Sequence, residues 1–521
     1  MNLIRLRKSY NRGSPLHKNI IHCSSLSMHK NTFILLAIVV LVIAAFAVFT
    51  PSASTTPVAR ASQIVNLVDG DTYTLNAGEV TEVLNGNKVT MLAYNGMIPG
   101  PEIHVQEGAQ VTIHFVNNLK MPTLLHSHGV RLANANDGSP LVQKEIAPGA
   151  SFDYKIKFTD PGIYWYHPHV REDEEQTKGL FGAYVVTSKS PDFWSPADAE
   201  DVLFLSDVLM EDGAVAPFGK DYVTHALMGR FGDTLLVNGT TTYALAVRPG
   251  EVRRFYVTNA ATARTFNFGI AGAVLKLIGA DGGRYEREQF VNDVVLGPSE
   301  RAIVDVYFPQ AGTYTIEHKT PQKTYALGMV NVSGEPIPSP REKEFMTMRT
   351  NTDEVAQFNL LRSYLNAPVD KRLLLTLTSD MTKIMALSGS SGHTHAAMPG
   401  MMMGTSSAMG MSMPMMATTT LRPIEWEDDM GAMNTFSTSD TVKWILRDED
   451  TGKENMDIAW SFAKGSMVKI RLTNDKTSIH PMQHPIHFHG NRFVVLSTNG
   501  VPNTNMVWKD TTLVKNGDVV D

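Results

Sequence analysis

Three pairs of histidines alternate across a single residue: His126 and His128 in "HSHG", His167 and His169 in "WYHPH", and His487 and His489 in "HPIHFHG". A seventh, His484, stands three residues before His487. On a β-strand residues i and i+2 point to one face, so each pair presents two imidazoles side by side, about 6–7 Å apart at the backbone. Two such rings can serve neighbouring metal ions or cap one, and three pairs gathered between domains would offer six nitrogens. Imidazole suits copper, zinc, iron and nickel; six rings with few carboxylates nearby favour copper over the hard cations. One such pair alone is more often an ordinary surface or core feature. His318, His393, His395 and His480 fall outside the pattern, and most of them are expected to face solvent.

Strands must carry these pairs, and the chain beyond residue 60 supplies them. Val, Ile, Tyr, Phe and Thr alternate with polar residues between Gly and Pro turns, which predicts an all-β chain of sandwiches or barrels. A repeat underlies it. "YNGMIPGPEIHVQEGAQVTIHFVNN" (94–118) resembles "LVNGTTTYALAVRPGEVRRFYVTN" (236–259) and "MDIAWSFAKGSMVKIRLTN" (456–474): a strand, a Gly turn, then a strand ending at Asn. A second half-unit recurs at 146–169 and 296–319. Three sandwich domains follow, at 62–190, 200–335 and 371–521, with a linker at 336–370 whose stretch Asp353 to Asn366 has helical spacing. The middle copy carries "FNFG" (Phe266 to Gly269) near the place of an HxHG, and Glu317 and Lys319 where the first has His167 and His169. Building the sandwich therefore does not need the histidines.

The 19 residues Thr32 to Thr50 carry no charge, about enough to cross a bilayer as a helix. Arg5, Arg7, Lys8, Arg12, Lys18 and Lys30 precede them in a basic segment, 1–31. The positive-inside rule keeps that end cytoplasmic and predicts an extracytoplasmic chain, periplasmic or at the cell surface, anchored through 32–50 or released by cleavage. Translation from Met28 would give an ordinary signal-peptide lead. Net charge is −6, with no long basic run in the body, which argues against nucleic acid as a partner. The single cysteine, Cys23, excludes an internal disulfide framework and a cysteine-based zinc site.

Between 392 and 420 stand nine methionines, Met398, Met401, Met402 and Met403 among them, broken up by Gly, Pro, Ser and Thr. That composition predicts a loop. Thioethers are soft ligands suited to Cu(I), so these residues, and Met482 two positions before His484, are candidate contacts for cuprous substrate. Asp428 and Asp429 in "EWEDDM" read as a solvated acidic turn.

"HSHG", "WYHPH" and "HPIHFHG" resemble three of the four copper signatures of the multicopper oxidases, and "YNGMIPGPEI" and "VWKDTTLVKNGD" (507–518) look like two further stretches of that family. The resemblance covers about residues 62–521, and the Met-rich insertion is most similar to cuprous oxidases. It implies three consecutive cupredoxin-like Greek-key sandwiches and four copper ions, one blue mononuclear and three in a cluster. One-electron oxidation of Cu(I) or small aromatic reductants such as phenols would be coupled to reduction of dioxygen to water. His126 and His487 would bind the lone copper of the cluster, His128, His167, His169 and His489 the coupled pair, and His484 the blue copper. Asp137, in "ANDGSP", matches an acid that relays protons; it also reads as a plain turn aspartate before Gly138. The fourth signature, His-Cys-His, is absent. Gly149 corresponds to Gly517, and the first HPH begins 18 residues after Gly149, so the signature is expected beyond Asp521. On that reading the chain is a fragment with an incomplete third domain and no turnover of its own. The competing expectation is a copper-binding or structural protein without turnover. A copper nitrite reductase ranks last, because "WYHPHV" contains no cysteine.

Overall fold

Strand Gln110–Asn117 shows how the pattern becomes structure: Val111, Ile113, Phe115 and Asn117 are buried, while the residues between them face outward. Strands of this kind stack into pairs of sheets. In the first repeat one sheet runs Ile64–Asn66, Glu102–Gln106, Gly182–Thr187, Gly162–His167, His126–His128, and the other Asn87–Tyr94, Thr72–Leu84, Gln110–Asn117, Ser151–Lys157. Leu75, Ile103, Phe115, Tyr154 and Tyr184 fill the space between them. The second repeat packs a six-stranded on a five-stranded sheet, and the third a six-stranded sheet beside the pair His484–His487 and Thr511–Val514. The chain is thus an all-β series of three sandwiches. This computed structural model describes residues 56–220, 222–338, 340–390 and 422–521. The segments 1–31 and 32–50, Met398, Met401, Met402, Met403 and the rest of 392–420, and His393 and His395 lie outside them. Among the described residues no helix is long and apolar enough to cross a membrane.

The asparagine that closes each repeated strand has one task in all three copies. Asn117 Nδ2 donates to the carbonyls of Met121 and Ile146, Asn259 Nδ2 to those of Arg264 and Leu296, and Asn474 Nδ2 to those of Met482, Val514 and Lys515. Each amide is buried and holds the loop that enters the next strand. The Ile146 carbonyl also accepts from the Thr123 amide, so the side chain ties the loop to a ladder that is already formed.

The ladder also corrects the alignment of the copies. Phe266 pairs Leu296 as Thr123 pairs Ile146 and His484 pairs Val514. Phe266 therefore matches His484, and Gly269 and Ala271 take the positions of His126 and His128, three residues from where "FNFG" suggested. Gly269 pairs Glu317 as His126 pairs His167. Lys319 and Glu317, 3.3 Å apart, form an ion pair where the first copy has His169 and His167. His318, expected at the surface, is buried between Phe266 and Tyr325, and its Nδ1 accepts from the Asn267 amide.

The linker holds two α-helices, Glu342–Met346 and Thr352–Leu361, followed by a 3-10 turn, Arg362–Leu365. Phe345 and Phe358 anchor them. Apolar contacts join the first two sandwiches through Ile163, Trp165 and Phe181 against Phe204, Tyr256 and Ile303. The second and third meet through Leu227, Met228 and Phe231 against Leu377, Val442 and Met482.

Candidate metal centre

The first and third sandwiches bring their paired histidines together. Strand His126–His128 lies beside Gly162–His167, with His126 directly opposite His167. Ser127, between the two ligand candidates, turns inward toward the hydroxyl of Tyr184. Pro168 ends the second ladder and His169 follows at the turn. From the third sandwich, the His487 ring stacks on His128 at 3.8 Å between centroids and His489 on His126 at 4.2 Å. His126 is central: the rings of His169, His167 and His128 stand 4.7, 5.5 and 5.6 Å from it. Three sets of donors lie within 4.8 Å of one another, namely His126, His128 and His487; His126, His167 and His169; and His126, Asp137 and His489.

Hydrogen bonds fix which nitrogen of each ring is free. Nδ1 of His126 donates to the Asp137 carbonyl at 2.6 Å, that of His487 to the Asp510 carbonyl at 2.7 Å, and that of His167 to the Pro168 carbonyl at 3.0 Å. His169 Nδ1 donates to Glu172 at 2.6 Å and His489 Nδ1 to Asp137 Oδ2 at 2.9 Å. A neutral ring that donates through Nδ1 carries a lone pair on Nε2. Nε2 of His126, His169 and His487 is buried without any partner. His128 is reversed: its Nε2 contacts Thr511 Oγ1 at 2.8 Å and Asp510 Oδ1 at 3.2 Å, leaving Nδ1 3.4 Å from His167 Nε2. Two lone pairs thus face each other, and three more are orphaned. Buried acceptors without donors are costly, and a shared cation of imidazole-binding type satisfies them, so the residues fit copper. Burial, with the neighbouring rings, holds His126, His128 and His167 well below the ordinary histidine range, and burial pushes His487 down to about 4. Those four rings are held neutral, as metal ligands must be.

His484 lies apart from the six. Its ring packs edge-on against Trp444 at 4.7 Å, its Nε2 is buried and unpartnered, and burial pushes its pKa down to about 4. Met482 is buried in the apolar cluster between the second and third sandwiches, so its thioether is wall and not surface. Asp428 accepts from Asn434 Nδ2 and from the Met430 amide, which fixes the acidic turn. Nε2 of His318 and of His480 is also unpartnered, but no set of three donors forms around either among the described residues.

Sequence reasoning missed the residues behind the rings: Glu172, Asp510, Thr511 and Arg301. Arg301 begins a strand of the second sandwich and is fully buried. It donates to both oxygens of Asp510, at 2.6 and 2.5 Å, and to the Ile163 carbonyl at 3.2 Å, so one guanidinium touches all three sandwiches. Burial alone would raise the Asp510 carboxyl, but Arg301 and His128 carry it well below the ordinary carboxylate range. Asp281 Oδ2 accepts from the Asp510 and Thr511 amides and stands 3.2 Å from Lys509 Nζ. The local signal for Asp510 and Thr511 was the stretch "VWKDTTLVKNGD" (507–518), which names no role for either residue.

Models of the multicopper oxidases match residues 76–191, 200–335 and 425–520, which together make up most of the chain. The chain belongs to the multicopper oxidases. Among curated relatives of this multicopper oxidase chain, copper resistance protein A of Pseudomonas syringae pv. tomato is 28% identical over 324 residues, 53% of this chain and 52% of its own length. Multicopper oxidase MmcO of Mycobacterium tuberculosis is 29% identical over 258 residues, 44% of this chain and 50% of its own. The chain spans about half the length of the curated relatives it matches. A solved multicopper oxidase of Campylobacter jejuni, described as a metallo-oxidase, shares the fold with a TM-score of 0.61 at 22% identity, covering 91% of this chain and 92% of that one. The sandwiches of this family member are accordingly cupredoxin-like, and copper is the metal of its family.

Proposed function

We propose that this chain belongs to a copper-dependent oxidase that couples one-electron oxidation of Cu(I) or phenolic substrates to reduction of dioxygen to water. The observation that carries the reading is the gathering of six imidazoles from two sandwiches around His126, with the free Nε2 of His126, His169 and His487 buried and unpartnered. His126 and His487 would hold one copper, and His128, His167, His169 and His489 would share in holding two more; His484 would serve a separate mononuclear copper. Bound copper would supply single-electron transfer and deliver four electrons to dioxygen. The protein's part is to keep each ring aimed. The carbonyl of Asp137 holds the His126 proton at Nδ1 and its carboxylate holds the His489 proton; Asp137 would pass protons inward. The apolar wall of Trp165, stacked on His167 at 4.1 Å, keeps water from that side.

Cu(I) as substrate rests on the nine methionines of 392–420, and an extracytoplasmic site of action on the uncharged run 32–50 behind its basic lead. The copper-loaded protein is expected to take up dioxygen when given Cu(I) or a phenol; no uptake with either would sink the oxidase reading. Deleting 392–420 should lower cuprous activity and leave phenol oxidation unchanged or raised, whereas an unchanged ratio would remove the case for a cuprous specialist. The competing reading is copper holding without turnover. Retention of copper with no oxygen uptake would select it.

A further inference from the structure

We infer that Asp510 and Thr511, clamped by Arg301 of the second sandwich, are positioning residues that lock His128 in the Nε2–H form and so aim its Nδ1 at the metal. The inference rests on the copper reading above for its purpose, but the tautomer itself is a property of the metal-free protein.

The hydrogen bonds run in one direction only. Arg301 donates to both oxygens of Asp510 from full burial, so the carboxylate is an acceptor with no proton to give. The Thr511 hydroxyl donates to Asp510 Oδ1 at 3.0 Å, which spends its one hydrogen. At His128 Nε2 both neighbours, Thr511 Oγ1 at 2.8 Å and Asp510 Oδ1 at 3.2 Å, can therefore only accept. Nε2 must carry the proton and Nδ1 the lone pair, the reverse of the other five rings. His128 is buried and stacked on His487, so it cannot turn over to exchange the two nitrogens without displacing a neighbour.

The clamp is itself held from three sides. The Asp510 and Thr511 amides donate to Asp281 Oδ2 at 3.2 and 3.4 Å, Arg301 donates to the Ile163 carbonyl, and Asp281 Oδ1 lies 3.5 Å from Arg301 Nη1. Gly129, immediately after His128, has φ +82°, and a Cβ there would stand 2.2 Å from Asp510 Oδ2. The glycine of "HSHG" is thus the space the clamp occupies. The second sandwich, which holds none of the paired histidines, acts on the centre through Arg301.

The test uses metal-free protein labelled with ¹⁵N-histidine, the His128 signal being the one lost in His128→Gln. Wild type should show His128 protonated at Nε2. Thr511→Val, which keeps shape and deletes the acceptor, and Asp510→Asn, which lets an amide N–H face the ring, should each shift population toward Nδ1–H. Both should weaken copper binding about 10- to 100-fold. Thr511→Ser should restore both, a rescue that a purely space-filling role would not require. A wild-type ring protonated at Nδ1, or a Val variant equal to wild type in tautomer and in copper affinity, would overturn the inference. If Asp510→Asn does not fold, the Thr511 pair decides alone. Failure of wild type to bind copper with the tautomer as stated would instead count against the copper reading.

Discussion

Gly129 lies against the carboxylate of Asp510, so close that a methyl group on it would meet Oδ2 at 2.2 Å and Arg301 Nη2 at 2.9 Å. The backbone there is left-handed at φ +82°, a second reason for glycine. Gly490, the matching residue after His489, has φ +66° but nothing nearer its absent Cβ than the Leu132 carbonyl at 3.9 Å. Gly129→Ala is expected to cost more than about 3 kcal/mol and to reduce copper retention, while Gly490→Ala costs about 1 kcal/mol, the strain term alone. Denaturant unfolding of the two variants side by side checks this; equal losses would show that the Asp510 contact is not what excludes a side chain.

His126 is the residue common to all three donor sets. His126→Gln should therefore lose at least the copper it would share with His487, measured as metal content after dialysis. His318→Gln, an equally buried histidine with no set of donors around it, should retain the wild-type content. Loss of copper from both variants alike would point to general destabilisation.

Glu175 is buried, its Oε2 accepts from the Thr123 hydroxyl at 2.5 Å, and its Oε1 has no partner. Burial pushes its pKa from 4.5 up to about 9. The folded value lies above the unfolded one, so the stability this group contributes is full below pH 4.5 and is lost as pH rises toward 9. The loss runs at about 1.4 kcal/mol per pH unit across that window. Glu175→Gln removes the ionisation and should raise the unfolding temperature relative to wild type more at pH 8 than at pH 5. The same difference at both pH values would mean that Glu175 is not held neutral in the fold.

Asn117, Asn259 and Asn474 each close the loop that leads into a strand, and in the third sandwich that loop runs up to His484. Replacing any one by Ala removes two or three hydrogen bonds from a buried amide to backbone carbonyls, at a cost of about 2–4 kcal/mol. Asn474→Ala should in addition disturb the setting of His484, while Asn259→Ala should destabilise without touching a paired histidine. Denaturant unfolding measures the cost; variants within 0.5 kcal/mol of wild type, roughly the noise of a surface change, would refute the shared role.

Strand periodicity, the repeat and the His-x-His spacing were all local facts, and a chain read along its length states local facts fully. They determined the three sandwiches, the side of each strand on which the imidazoles stand, and the family. The register of the second copy was not local: which residue faces Leu296 is set by the ladder, and sequence similarity of "FNFG" to "HSHG" missed it by three residues. His318 misled for the same reason, since its burial depends on Phe266 and Tyr325 closing over it. For His126, His128, His487 and His489 only the tertiary structure decided which nitrogen is free, because the acceptors that hold the other one come from distant turns or another sandwich; those of His167 and His169 are the nearby Pro168 and Glu172. Asp510, Thr511 and Arg301 look like ordinary strand residues in one dimension; their geometry around His128 exists only where three domains meet and water is excluded, which makes a single proton's position a property of the whole chain.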